Sequence, residues 1–281
     1  MLDQYFSLFL KEKRFLNNCS PKTIRYFECS YKAFKRSVTG EELNKATLSE
    51  FVVKMRESGL SARSCNDYSK GMNSFFKWLY ENEIVKELFK VQMIKEDQKV
   101  LRAFTLEEMK RIINYKPKRK TEIRLKTMVL MLIETGCRIE ELLSLEIAQL
   151  DFENLLIKIM GKGRKERIIP MSLELRKILF NYLKKAEGPL VFPSIVGTKW
   201  NYQNAWRDLQ NLLKKLEIDQ AAFHTFRRTY ARQYLKNGGK LYYLMKSLGH
   251  TRLETTKIYL DADVEDLRSE QVKTSLLSRL R

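Results

Sequence analysis

LLIKIMGKGRKERIIPM, residues 155–171, is where this chain departs from helix. Two runs rich in isoleucine and leucine, 155–160 and 167–171, flank a glycine-containing connection, which predicts a β-hairpin. Lys162 stands between Gly161 and Gly163 at its tip. The Gly-x-x-x-x-Gly-Lys-Ser/Thr order of a P-loop is absent, and the flanks are strand and strand, so the segment is no nucleotide-phosphate cradle. A lysine on such a tip either solubilises the turn or reaches out to a phosphate.

Around the hairpin the chain reads as helix. Ser20-Pro21 supplies an N-cap with proline at the first helical position, Thr47 to Glu50 forms a capping box, and Ser61 opens a long helix. On that helix Tyr68, Met72, Phe75, Phe76 and Leu79 recur at helical spacing, as core residues do. Periodicity fades from 89 to 103, and Thr105 to Glu108 then makes a second capping box, with Phe104 and Met109 placed as a hydrophobic staple. This pattern predicts a helical domain over 1–90, a linker over 91–102 and a larger domain over 103–281. In the larger domain an apolar helix over 125–135 stops at Gly136, a short helix starts near Arg138, Ser172 and Asn201 are N-caps, and Asn237-Gly238-Gly239 ends the helix holding FHTFRRTYARQY. The fold class expected is mainly α with a small β-hairpin or sheet, the α+β part forming the second domain.

The chain has 281 residues, 44% of them hydrophobic, with 53 Lys plus Arg against 34 Asp plus Glu, a formal net charge of +19. An excess of this size must lie on the surface and calls for a polyanion. Basic residues run the whole length of the chain and are not gathered in an amphipathic tail, so nucleic acid is favoured over a membrane surface. The longest central apolar run, 128–133, is far short of the roughly 20 residues that span a bilayer. The start is amphipathic and carries acidic residues, unlike an export signal, so a cytoplasmic protein is expected. Cys19, Cys29, Cys65 and Cys137 form no Cys-x-x-Cys pair, which predicts reduced core thiols, with no disulfide and no zinc site.

Three further segments hold residues that bear chemistry. His224 and Arg227, spaced i and i+3, leave a helix on one side and suit a phosphate, although an isolated His-x-x-Arg is more often a packed histidine beside a surface arginine. Arg138 follows a glycine break, with Glu141 one turn on to hold its guanidinium, an arrangement equally ordinary as a surface ion pair. His250 precedes a Thr251-x-x-Glu254 capping box, and Tyr259 lies on the helix it starts. Each feature is commonplace alone; the set is not.

The set resembles the tyrosine recombinases of the phage-integrase and Xer type. TGCRIEELLSL resembles the family's first arginine motif, GKGRKERIIPM its hairpin-lysine motif, HTFRRTYARQYL its His-x-x-Arg helix, and LGHTRLETTKIYLD its histidine and nucleophilic-tyrosine segment. The intervals between Arg138, Lys162, His224, Arg227, His250 and Tyr259 are 24, 62, 3, 23 and 9 residues, which suit the compact members. SPKTIRYFECSYKAF and SCNDYSKGMNSFFKWLYE resemble their N-terminal core-binding domain. In one departure, the residue after the second arginine, often histidine in the family, is Arg228.

The resemblance implies a two-domain clamp on double-stranded DNA with two inverted half-sites, working as a homo-tetramer on paired sites, with a Holliday junction between strand exchanges. Tyr259 would attack a phosphodiester to give a 3′-phosphotyrosine link and a free 5′-hydroxyl. Arg138, Arg227 and His250 would hold the non-bridging oxygens, Lys162 would protonate the leaving oxygen, and His224 would take the tyrosine proton. Neither cofactor nor metal is implied, because one phosphodiester is exchanged for another. The tail over 267–281 would dock into a neighbouring subunit, and no room is expected for the arm-binding domain of larger integrases. An accessory or partner recombinase is left open. Two other readings are a DNA-binding architectural protein of the same fold that no longer cleaves, which the six filled positions disfavour, and a type IB topoisomerase, which the N-terminal half disfavours.

Overall fold

A computed structural model of the chain describes residues 2–38, 43–96, 102–161, 166–184 and 186–249. Two compact units divide between Lys99 and Val100.

The first unit is built from α1 (Leu2–Phe15), α2 (Pro21–Ser37), α3 (Lys45–Glu57) and α4 (Ala62–Glu81). Aromatic residues fill its core: Phe9, Phe51, Phe75 and Phe76 are fully buried, and Phe6 stacks on Tyr31 with ring centroids 3.9 Å apart. Burying each such ring contributes about 1.5–3 kcal/mol. Ser20 and Ser61 cap α2 and α4 as the sequence predicts, each accepting the N–H three residues on at 3.2 Å. The capping box expected at Thr47 is corrected. Asn44 is the N-cap, its Oδ1 accepting both the N–H and the hydroxyl of Thr47 at 2.9 and 3.0 Å, so Thr47 lies inside the first turn. An asparagine one turn earlier satisfies the orphan donors first.

Residues 89–96, in which periodicity was lost, run as an extended strap on this unit. Val91 is buried, and Asn73 exchanges two hydrogen bonds with its backbone (2.7 and 3.0 Å). Asn66 does the same with Ile94, at 2.8 Å in both directions. Two asparagines seven residues apart thus stand in for a neighbouring strand.

The second unit contains α5 (Leu106–Asn114), α6 (Lys120–Thr135), α7 (Ile139–Leu143), a 3-10 turn (Ile147–Gln149), β1 (Leu150–Asp151), β2 (Leu156–Met160), β3 (Glu166–Pro170), α8 (Leu173–Leu183), α9 (Tyr202–Lys215), α10 (Phe223–Lys236) and α11 (Leu241–Leu248). The unit is mainly helical around one small sheet, as expected. α6 runs through the core with Met128, Val129, Met131 and Leu132 fully buried, packed against α8, α9 and α10. Its C-terminus is Gly136, left-handed at φ 61°. The capping box at Thr105 and Glu108 is present, with Phe104 and Met109 in the same cluster.

The sheet is antiparallel in the order β1-β2-β3, with Ile157 opposite Ile169 and Ile159 opposite Arg167. The hairpin predicted from 155–171 is therefore real, and β1 adds a third, two-residue strand too short to show in the sequence. Leu155, read as the first strand residue, instead takes a left-handed φ of 57° and closes the β1–β2 turn. Cys65 and Cys137 are buried, but Cys29 is exposed and Cys19 half-buried, so the expectation of four core thiols holds for two. Among the described residues no helix is long and apolar enough to cross a membrane. The expected capping box at Thr251 and the tail over 267–281 lie outside the described residues.

Candidate active site

The junction of α6 with α7, helix α10 and the end of α11 bring three of the predicted residues together. α6 ends at Gly136, and its left-handed turn leads two residues on to Arg138, which occupies the N-cap position of α7. Glu141, at the third position of α7, accepts the backbone N–H of Arg138 at 2.8 Å and its Nη1 at 3.1 Å. One carboxylate therefore caps the helix and holds the side chain of the residue that starts it. The Arg138 side chain remains 36% exposed.

α10 supplies His224, Arg227 and Arg228. Phe223 and Phe226 turn into the core. Arg227 is buried as well: its Nη1 donates to the Gly136 carbonyl at 2.8 Å and its Nη2 to the Leu248 carbonyl at 2.5 Å. Arg138 Nη1 also reaches the Leu248 carbonyl, at 3.4 Å. Leu248 is the last residue of α11, whose terminal carbonyls carry the negative end of the helix dipole, so two guanidinium groups converge where one helix needs partners. His224 and Arg227 thus differ in exposure, histidine at the surface and arginine inside, although both belong to one side of α10.

The charges act on the histidine. Partial loss of water, followed by the fields of Arg227, Arg228 and Arg138, holds His224 below its ordinary pKa. Its neutral form is favoured at neutral pH, so the ring can accept a proton. Arg228, the departure noted in the sequence, is one of the cations responsible. Cys137, between Gly136 and Arg138, is fully buried, and burial pushes its thiol up to about 11. It packs here as an inert thiol.

Sequence reasoning missed Arg167. This strand residue gives both Nη groups to the two Glu141 oxygens at 2.8 and 2.7 Å, and its Nε to the Ser247 carbonyl at 2.8 Å. It is the main partner of Glu141, which the sequence had assigned to Arg138. Burial pushes the Glu141 carboxyl up, but Arg167 and then Arg138 pull it to a net value below the ordinary range. The readable signal lay in the strand period: Arg167 shares a face with Ile169, and a cation on a buried face requires a carboxylate.

The structure thus gathers Arg138, His224 and Arg227. Lys162, His250 and Tyr259 lie outside the described residues. Among the described residues no group of three His, Cys, Asp or Glu could hold a metal ion. Guanidinium donors, an imidazole whose neutral form is favoured and a half-exposed approach through Arg138 are groups whose chemistry suits an anion.

Residues 102–266 match the model of the phage integrase family. The tyrosine recombinase XerA of Thermococcus onnurineus is 30% identical over 275 residues, covering 94% of this chain and 93% of that protein. The tyrosine recombinase XerD of Oceanobacillus iheyensis is 25% identical over 236 residues, 80% of each. Among solved structures, the Tn1549 transposon integrase in complex with a circular intermediate DNA superposes with a TM-score of 0.80 at 18% identity, covering 96% of this chain and 99% of that one. XerH bound to its difH substrate gives 0.68 at 18% identity, covering 95% and 83%. The chain's helices and small sheet share the fold of these solved structures. The chain belongs to the phage integrase family, as a tyrosine site-specific recombinase.

Proposed function

We propose that this enzyme cleaves and rejoins duplex DNA through a 3′-phosphotyrosine link to Tyr259. The Tyr259 oxygen attacks phosphorus and its proton passes to His224. The bond from phosphorus to the 5′-oxygen breaks, and Lys162 protonates that leaving oxygen. A 5′-hydroxyl of another strand then attacks the link, reversing each proton transfer and freeing the tyrosine. Arg138 and Arg227, with His250, neutralise the non-bridging oxygens as charge builds, and each such donor lowers the barrier by about 3 to 4 kcal/mol.

The observation that carries this reading is the convergence of Arg138 and Arg227 on the Leu248 carbonyl. It supports a phosphate site at the point where the chain continues directly into His250 and, nine residues later, Tyr259. The neutral state favoured for His224 supports its role as proton acceptor.

The DNA carries two inverted half-sites, and four copies of the chain act on two paired sites through a Holliday junction. The six residues named are the catalytic set, the first helical unit grips core-site DNA, and the tail over 267–281 exchanges between subunits. The enzyme works in the cytoplasm on nucleoid DNA and needs neither metal nor nucleotide cofactor. The test is covalent trapping. Wild type and Tyr259→Phe are incubated with nicked suicide duplexes carrying a site found by selection, and adducts are read on a denaturing gel. An adduct formed by the wild type alone is expected. Specific binding without an adduct would point to the architectural reading, and relaxation without strand exchange to a topoisomerase.

A further inference from the structure

We propose that Arg167 is a positioning residue that keeps Arg138 available to a phosphate by occupying the carboxylate that would otherwise neutralise it. The inference rests on the reading of Arg138 as a phosphate-binding group.

Glu141 is a single negative charge between two guanidinium groups, and the geometry divides it unequally. Arg167 holds both oxygens in a parallel, two-bond grip at 2.7 and 2.8 Å, whereas the Arg138 side chain makes one bond of 3.1 Å. The paired side chains of Arg167 and Glu141 are only 11% and 6% exposed, against 36% for Arg138. Buried and bidentate, the first pair is the stronger by charge and by geometry. Arg138 is left steered by Glu141 but not neutralised by it.

Arg167 is itself fixed independently of Arg138. It stands on β3 opposite Ile159, and its Nε is tied to Ser247 at the end of α11. Gly249, left-handed at φ 66°, leaves room for it: a Cβ there would come within 3.1 Å of Arg167 Cδ. One side chain thus joins the hairpin strand, the start of α7 and the end of α11. If the Arg167 charge were removed, the Glu141 carboxylate, still accepting the Arg138 backbone N–H, would be left to pair more fully with the Arg138 guanidinium and draw it away from an incoming anion.

The test compares wild type, Arg167→Met, Arg167→Lys, Glu141→Gln and the two double variants. The single-turnover rate of adduct formation on a nicked suicide duplex is measured at saturating protein, well below each melting temperature, alongside the Kd for intact duplex. Arg167→Met should slow adduct formation roughly tenfold or more, short of the hundredfold to thousandfold for outright loss of a donor, with Kd changed far less. Adding Glu141→Gln should restore most of the rate, because the amide oxygen can still cap α7 but no longer neutralises Arg138. Arg167→Lys, which keeps the charge without the two-bond grip, should lie between wild type and Arg167→Met, and should also gain from Glu141→Gln. Should Arg167→Met fail to fold, the lysine pair carries the same comparison. A double variant as slow as, or slower than, its single Arg167 parent would overturn the proposal, as would an unchanged rate in Arg167→Met. Absence of an adduct from the wild type would instead remove the functional reading, and this inference with it.

Discussion

Replacing Gly136 by alanine probes the junction on which the arginine site depends. Gly136 is left-handed at φ 61°, and a Cβ built on it would lie 2.4 Å from Tyr230 Cδ1 and 3.0 Å from Leu248 Cδ2. Two costs follow. The left-handed conformation costs an alanine about 1–2 kcal/mol, and forcing a methyl group into filled space costs about 1–3 kcal/mol more. Gly188 separates them: it also has positive φ, 89°, but a Cβ there would meet nothing within 4 Å. Gly188→Ala should therefore show the backbone cost alone, and Gly136→Ala should be less stable than it by about 1–3 kcal/mol. For a unit of this size each kcal/mol lowers Tm by about 2–4 °C, so the two variants should melt roughly 2–12 °C apart. The assay is thermal melting of the full chain by circular dichroism, followed by adduct formation at a temperature where both variants are folded. Leu248, displaced by the new methyl, carries the carbonyl shared by Arg138 and Arg227, so Gly136→Ala should also cleave more slowly than Gly188→Ala. Equal melting and equal cleavage in the two variants would refute the reasoning.

The remaining predictions concern protonation, the strap and the net charge. Because His224 is held below its ordinary pKa of 6.5, cleavage should stay level down to about pH 6.5 and decline only below it. The unfolded chain takes up the His224 proton first, so the group's contribution to stability is present above about 6.5 and lost as pH falls toward the lower folded value. Arg228→Ala removes one of the responsible cations and should move the acid limb to higher pH; an unmoved limb would show that Arg228 does not act on this ring. Asn73→Ala leaves the Val91 N–H and carbonyl without their partner and should cost about 1–3 kcal/mol. It should also open residues 89–96 to limited proteolysis, and a cleavage pattern like wild type's would count against the strap. Finally, if the +19 charge meets 6 to 10 phosphates, affinity should fall by roughly 10³–10⁵ between 50 and 200 mM salt; a nearly flat salt series would contradict this.

Much of the architecture was legible because it rests on local rules. Ser20, Ser61, Thr105, Ser172 and Asn201 each accept a backbone N–H at a helix start, and such caps act within one turn of sequence. Gly136 was legible as a stop because a left-handed residue after an apolar run has few other uses. Thr47 misled for the same local reason: it satisfies the capping-box pattern with Glu50, but Asn44 reaches the free donors first. The site was legible in part. Arg138 and Glu141 are one turn apart and could be paired on paper. Arg167 is 26 positions from Glu141, and only the folded hairpin brings its strand beside α7. The strap escaped notice because its partners, Asn66 and Asn73, replace a periodic pattern with side-chain amides, which leave no mark in the strap's own sequence.

The carbonyl partners of Arg227 suggest how a buried cation could still serve the proposed phosphate site. A carboxylate beside it would offset desolvation and cancel the charge in the same step. Two of its partners are backbone carbonyls, of Gly136 and Leu248, which hydrogen-bond the guanidinium as dipoles and do not themselves cancel its charge. Burial, and then the charges of Arg227, Arg228 and Arg138, hold His224 below its ordinary pKa. Arg167 follows the other rule, because a full ion pair with Glu141 neutralises it. Arg167 and Arg227, bonded to the adjacent Ser247 and Leu248 carbonyls at one helix end, thus differ in that the first also holds a carboxylate in a two-bond grip. Arg138 lies between them, steered by the carboxylate that Arg167 has taken and joined to Arg227 through the Leu248 carbonyl. The expected consequence is an order of sensitivity: Arg227→Lys, which forfeits the fork reaching two carbonyls, should slow cleavage more than Arg167→Lys does. Single-turnover rates at saturating protein would decide it, and the reverse order would show that dipolar partners are not what preserves the charge at this site.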